Sequence, residues 1–331
     1  MSTLTVKSTA QSAVEGAVKG LPWTVLRLHR AALITWGAGL LAAVAVLVWM
    51  YVIGDDARAG AGACSLSPET GLPSCYEAVT ESTVHEIYQQ GIGLTGTALS
   101  YLMFPVAAWA GGALIGRELE NGTAQLAWTQ SVTPLRWLAA KLAVPALLLT
   151  AGTTAAVLLY VWARRDDDPN LVGDWYLTDV FVSTGPAAVA YVLAGLTLGA
   201  LAGLLTRRAL PAVGLGFAAT LALYNALDHY RENLWPTVFR TGVPHYELPR
   251  SAFQVENGVL LTSGERTQDV PCGDSPPGPG CVPDTEVAGF YSVHHPESHF
   301  WPLQFVEAGI ALAVAALATA AAFWILRRRT P

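Results

Sequence analysis

The sequence predicts an all-α, polytopic membrane protein with six transmembrane helices and both termini in the cytoplasm. Three observations lead there. Apolar residues make up 52% of the chain and charged residues only 13%, about half the charged share of an ordinary soluble domain. Six stretches are long and apolar enough to cross a hydrocarbon core of ~30 Å as helices. Lys and Arg gather on one side of the resulting map, and that bias sets orientation. The net charge of −6 carries little information, because the sidedness of charge matters more than its sum.

Taken in order, the expected spans are Ala31 to Ile53, Ile92 to Ile115, Leu138 to Ala163, Gly185 to Thr206, Ala212 to Leu227 and Leu303 to Leu326. The first is too long for a signal-peptide core and has no small-residue cleavage site right after it, so it reads as a retained span. Span two contains Pro105 and span three Pro145, and each proline removes a backbone donor, so both helices are expected to kink. Asn225 and Asp228 shorten the apolar part of span five. The organisation that follows is an N-terminal segment over 1–30, spans one to five over 31–229, an outer segment over 230–302, and a last span with a basic tail over 303–331.

Lys7, Lys19, Arg27 and Arg30 precede span one, Arg117, Arg136 and Lys141 flank the loop after span two, Arg207 and Arg208 follow span four, and Arg327 to Arg329 follow span six. With six spans all of these share one side, assigned to the cytoplasm. Arg164 and Arg165 are the discordant pair. The four cysteines, Cys64, Cys75, Cys272 and Cys281, all fall in loops assigned outside, where an oxidising exterior permits disulfides. Four cysteines allow three pairings. The local pairs Cys64–Cys75 and Cys272–Cys281 are the simplest, with free thiols as the alternative. Neither spacing resembles a zinc site.

The loop over 116–137 interrupts this apolar chain with Arg117, Glu118 and Glu120 in four positions. Arg117 to Asn121 can continue span two, Gly122 suits a left-handed helix end, and Thr123 to Gln130 offers a second short helix. Thr133 then caps a new helix with Pro134 at its first position. Such a helix could dock on a soluble partner, or the stretch could be a plain charged connector; the residues alone leave both open. Before span one, "LPWTVLRLHR" sets Thr24, Arg27 and Arg30 against Leu21, Trp23, Val25, Leu26 and Leu28, a basic segment suited to an anionic membrane interface or simply to fixing topology.

Other chemistries fit less well. Only Lys7, Lys19 and Lys141 could serve a phosphate-binding P-loop, and none follows a glycine, so there is no Walker A motif. An ion-coupled transporter places ionisable groups deep in its spans, whereas Glu307 and Asp228 sit near predicted span ends. His294, His295, His299 and Glu297 could hold an outer metal, but Pro296 disfavours a helix presenting His295 and His299 together. Interfacial His, Phe300 and Trp301 more often form an aromatic belt. "VHEIY" lacks the second histidine of a metalloprotease motif, and no Gly-x-Ser-x-Gly elbow occurs.

The string "RELENGTAQLAWTQSVTPLRWLAAKL" resembles the cytoplasmic loop of type-2 ATP-binding-cassette (ABC) export permeases, through Arg117, Glu118, Glu120, Gly122, Thr123, Thr129, Gln130, Ser131, Val132, Thr133, Arg136, Trp137 and Lys141. "LAWTQSVT" and the late "HPESHFWPLQFVEAGI" resemble the branch found in actinobacteria. The resemblance implies an ABC type-2 permease fold with short re-entrant helices before span six, in a bacterial plasma membrane. It implies a transport subunit rather than an enzyme, without a cofactor of its own. Two ABC ATP-binding subunits, carrying ATP and Mg, and a second permease half are the implied partners, with membrane lipid and no nucleic acid. Arg117, Glu118, Glu120, Gly122, Thr123 and Gln130 would form the ATPase-coupling loop, and Trp23, Arg27 and Arg30 an interfacial helix. The implied activity is ATP-driven export, or extraction from the inner leaflet, of an apolar or amphipathic cargo.

Overall fold

The computed structural model describes residues 26–62, 83–129, 132–165, 172–242, 248–249, 251–273 and 279–329. Trp23, Cys64, Cys75 and Gln130 lie outside them. Among the described residues, five helices are long and apolar enough to cross a membrane: Arg30–Arg58, Pro134–Arg164, Ala187–Thr206, Ala209–Asn233 and Glu297–Arg329. A sixth span is a bent pair, Val84–Tyr101 with Met103–Glu120, turning by 40°. The protein is thus an all-α, polytopic membrane protein in its spanning part. Span five exceeds its expected bounds because Asn225 and Asp228 continue the helix, which runs Ala209–Tyr230.

The two proline expectations separate. In span two the missing N–H of Pro105 leaves the Tyr101 carbonyl without its usual donor, the Leu102 N–H turns back to Leu99 O at 3.4 Å, and the axis bends there. Span three runs unbroken through Pro145 from Pro134 to Arg164. Past the bend, span two passes through a π-helical stretch, Ala110–Gly116, before Arg117–Glu120 resumes the α-helix.

Span four is the centre of the bundle. Its most apolar stretch is 67% buried, against 6% for that of span one, which lies at the edge. Glycines bring the backbones together there. A methyl group at Gly199 would sit 2.2 Å from the Ala107 carbonyl oxygen, and one at Gly195 would sit 2.5 Å from that of Met103. Gly203 approaches Ile115 Cβ and the Gly111 carbonyl in the same way, at 2.8 and 2.9 Å. Spaced four apart, the three lie on one helix face. Gly111 of span two and Gly216 of span five answer them: a methyl group on either would come within 3.0 Å of a neighbouring backbone atom. Lipid tails offer no hydrophobic drive for helix association, so such close van der Waals contact is what holds spans together. Larger side chains fill in on either side: Leu114, Ile115, Trp137, Leu196 and Leu326 toward the loop face, Phe181, Tyr191, Leu227 and Leu303 toward the opposite face.

The segment between spans five and six corrects one expectation. Short re-entrant helices are implied there, but four strands, β1 Val238–Gly242, β2 Phe253–Leu261, β3 Arg266–Thr267 and β6 Val287–His295, build an antiparallel sheet in the order β1-β6-β2-β3. Runs such as "VAGFYSVHH" are rich in the β-branched and aromatic residues that suit a pleated surface. A second pair, β4 Val270–Pro271 and β5 Cys281–Val282, is parallel and is tied by the Cys272–Cys281 disulfide. The discordant arginines are also accounted for. Arg165 bonds Asp55 at 3.0 Å and stacks over Tyr51, while Arg164 is buried and donates to the Gly173 carbonyl at 2.6 Å.

Gly199→Ala is expected to destabilise the protein by about 1–3 kcal/mol, the usual cost of overpacking. Gly214→Ala, with open space around it, is expected to be neutral or slightly stabilising. Unfolding in detergent micelles measures both, and equal stabilities would remove the close approach as a determinant of the fold.

Candidate functional site: the loop between spans two and three

The loop is built from both of its carboxylates inward. Glu118 reaches span three, where its Oε1 accepts from Lys141 Nζ and its Oε2 accepts from Trp137 Nε1 at 3.2 Å. Lys141 Nζ also lies 2.9 Å from His29 Nε2, just before span one. Burial, and then the Lys141 charge, lower the His29 pKa to about 4. His29 is therefore neutral at pH 7 and accepts from the ammonium, and its ring packs edge-on against Trp109 of span two. Glu120 turns the other way: its Oε2 accepts the Ala209 N–H at 2.8 Å, at the start of span five. A carboxylate there satisfies one of the four orphan donors of a helix N-terminus and complements its dipole.

Between these anchors the expected grammar holds. Gly122 takes φ +72, the left-handed break. Thr123–Thr129 forms the short helix, with Thr123 Oγ1 donating to the Glu118 carbonyl at 3.2 Å. The Thr133 side chain accepts from Arg136 N at 3.4 Å with Pro134 following. Arg117, Gln125 and Leu126 face outward, Leu126 being 59% exposed. Neither carboxylate stands free: the half-buried Glu118 meets the buried Lys141 ammonium, and Glu120, though exposed, holds the span-five N–H. Arg27 and Arg30 are exposed at the start of span one.

A second polar cluster sits at the opposite ends of the spans. Glu307 is fully buried, two turns into span six, and accepts from Arg231 Nε at 2.9 Å, Arg231 Nη2 at 3.2 Å and Tyr191 OH at 2.7 Å. Arg231 also pairs with Asp228 at 3.0 Å and lies over the Phe181 ring. Asp228 in turn accepts from Thr178 Oγ1 at 2.7 Å. Nearby, the structure brings together the two histidines that Pro296 was expected to keep apart. A 3-10 turn, Glu297–His299, sets His299 Nδ1 3.0 Å from His295 Nδ1, while His295 Nε2 meets the Glu232 carbonyl at 2.9 Å. No group of three metal-ligating side chains is gathered among the described residues.

Residues 36–231, which hold the loop, spans two to four and most of spans one and five, match the family model described as ABC-2 membrane transporter related. The chain belongs to that family. It is accordingly a multi-pass membrane permease, the transport subunit of an ABC transporter, and the family implies an ABC ATP-binding partner. No curated protein and no solved structure matches it.

Sequence reasoning named the loop residues but missed their internal partners. His29 and Lys141 lie 112 positions apart, a separation that no local pattern reads. Arg231 was passed over too, although Asp228 and Arg231 at i, i+3 where span five ends are a legible sign of an ion pair.

Glu118→Gln and Lys141→Met are each expected to cost about 3 kcal/mol or more, since each strips a largely buried charge of its partner. The double variant is expected to recover at least about 1 kcal/mol of the summed loss. Thermal unfolding in micelles gives the cycle, and strict additivity would mean that the pair does not interact.

The histidine junction beside the sheet is expected to weaken in acid. Burial lowers the His295 pKa from 6.5, so the neutral ring belongs to the folded state. Its stabilisation is complete above the unfolded value of about 6.5 and is lost as pH falls from there through the lowered folded value. Hydrogen exchange over residues 287–300 at pH 7.5 and 5 reads this, and His295→Gln should flatten the dependence.

Proposed function

We propose that this chain is one half of an ATP-driven exporter in a bacterial plasma membrane, with the loop over 116–137 facing the cytoplasm. A second permease half, identical or homologous, and two ABC ATP-binding subunits complete the transporter. ATP and Mg are handled by those partners, and this chain carries no cofactor. The cargo is apolar or amphipathic, leaving through a cavity between the two halves or extracted from the inner leaflet.

The observation that carries this reading is the way the short helix Thr123–Thr129 is bolted down. Glu118 ties its approach to Lys141 and Trp137 of span three and, through Lys141, to His29 before span one; Glu120 ties it to the first N–H of span five. A push on the exposed Arg117 and Leu126 is thereby delivered to several spans at once rather than absorbed by a slack connector. The buried Glu307 supports the same reading over an ion-coupled transporter, because Arg231 and Tyr191 compensate its charge.

Leu126→Asp and Arg117→Ala should leave the protein inserted and folded while weakening co-purification of its ATPase at least about ten-fold, a loss of about 1.4 kcal/mol. Gly122→Val should uncouple hydrolysis from transport by forbidding the left-handed break. Arg240→Ala, on β1 of the outer sheet, serves as the control. Wild-type partner binding and coupling in all three loop variants would make the stretch a connector only.

A further inference from the structure

Two non-glycine residues of the described chain adopt the left-handed region, Arg165 and Arg207, both at φ 53. Each ends a span, at a position where glycine is the comfortable residue. An arginine there is justified by what its side chain does. For Arg165 the partner is visible: Asp55 at 3.0 Å and the Tyr51 ring at 3.9 Å. Arg207, after span four, forms no ion pair with any described carboxylate. The backbone is set in the same way, and among the described residues no carboxylate answers it.

The surroundings of Arg207 say what anion fits. It lines a cleft of about 160 Å³ between the short loop helix and the ends of spans four and six. Arg329, from the last turn of span six, lines the same cleft and spends one N–H on the Leu204 carbonyl at 2.8 Å. Leu204, Ile325 and Leu326 form an apolar wall, and Trp128 closes it, its buried indole N–H lacking a partner among the described residues. Two guanidiniums above an apolar wall at the end of two spans match a phosphodiester with the first methylenes of its acyl chains. Basic pockets between spans take anionic headgroups in this way. On the exposed face of the same end of span six, Arg328 stacks over Trp324 at 4.0 Å, which marks the headgroup level.

We propose that this cleft binds the headgroup of one anionic phospholipid, Arg207 and Arg329 holding its phosphate beneath the loop helix. The lipid then lies against the same helix that the reading above gives to the ATPase, so membrane composition bears on coupling. The proposal rests on that reading only for this last consequence; lipid binding itself needs no partner subunit.

The test is lipid titration of the delipidated full-length permease, followed by native mass spectrometry. Phosphatidylglycerol is expected to bind tighter than phosphatidylcholine. Arg207→Gly, which suits the left-handed backbone, and Arg329→Gln should each weaken it by about five-fold, whereas Arg327→Gln should leave it unchanged. Added inorganic phosphate should not compete at millimolar concentration; full competition would make free phosphate the ligand and overturn the lipid assignment. Undiminished phosphatidylglycerol binding in both cleft variants would overturn the site. So would cleft variants that lose ATPase binding while their lipid preference stays intact, because the cleft would then receive an acidic side chain of the partner.

Discussion

The close approach of spans two, four and five is the constraint on which the rest depends. Gly195, Gly199 and Gly203 have no side chains to hold neighbours off, so the backbone of span two lies against that of span four. In a bilayer this contact cannot be replaced by a greasier one, because lipid competes equally well for apolar side chains. The π-helical stretch Ala110–Gly116 lies along this contact, and its end delivers Arg117 to Glu120 to the loop face. Glu120 can reach the first N–H of span five only because Gly116 already sits close to Arg208 and Ala209.

Each end of the bundle is then finished by an ion pair that crosses between spans. On the loop face Glu118 meets Lys141, and on the opposite face Glu307 meets Arg231. Neither pair is a cheap device, since desolvating two charges offsets much of their attraction. What each gives is registration: an ammonium or guanidinium buried in an aliphatic bundle is held where its few polar partners stand. The polar groups are thus concentrated where spans must keep a fixed relation, and the middle is left to small residues and aromatics.

Much of this was legible in the sequence. Span positions follow from hydropathy, and the loop's break and caps follow from Gly122, Thr133 and Pro134, whose preferences are local. The Cys272–Cys281 bridge was readable as the simplest pairing. What was not legible depends on contacts distant in sequence. Glu118 and Glu120 look like surface charges because a sequence shows composition but not which way a side chain turns. The strands over 238–295 were missed because their alternation is short, interrupted by turns, and overridden by the implied helices. His295 and His299 meet through a 3-10 turn, so excluding a regular helix did not exclude the encounter.

The sheet has a mechanical meaning. β1 follows span five within a few residues and β6 runs directly into span six, and the two strands are adjacent, paired from Val238↔His294 to Gly242↔Phe290. The Arg231–Glu307 pair joins the same two spans just below. Spans five and six are therefore stapled twice at their sheet-side ends and cannot part there without unzipping a ladder and stranding a buried charge. Away from that end each of the two packs on span four rather than on the other, so the direct joint between them lies on the sheet side alone and span four fills the space toward the loop face.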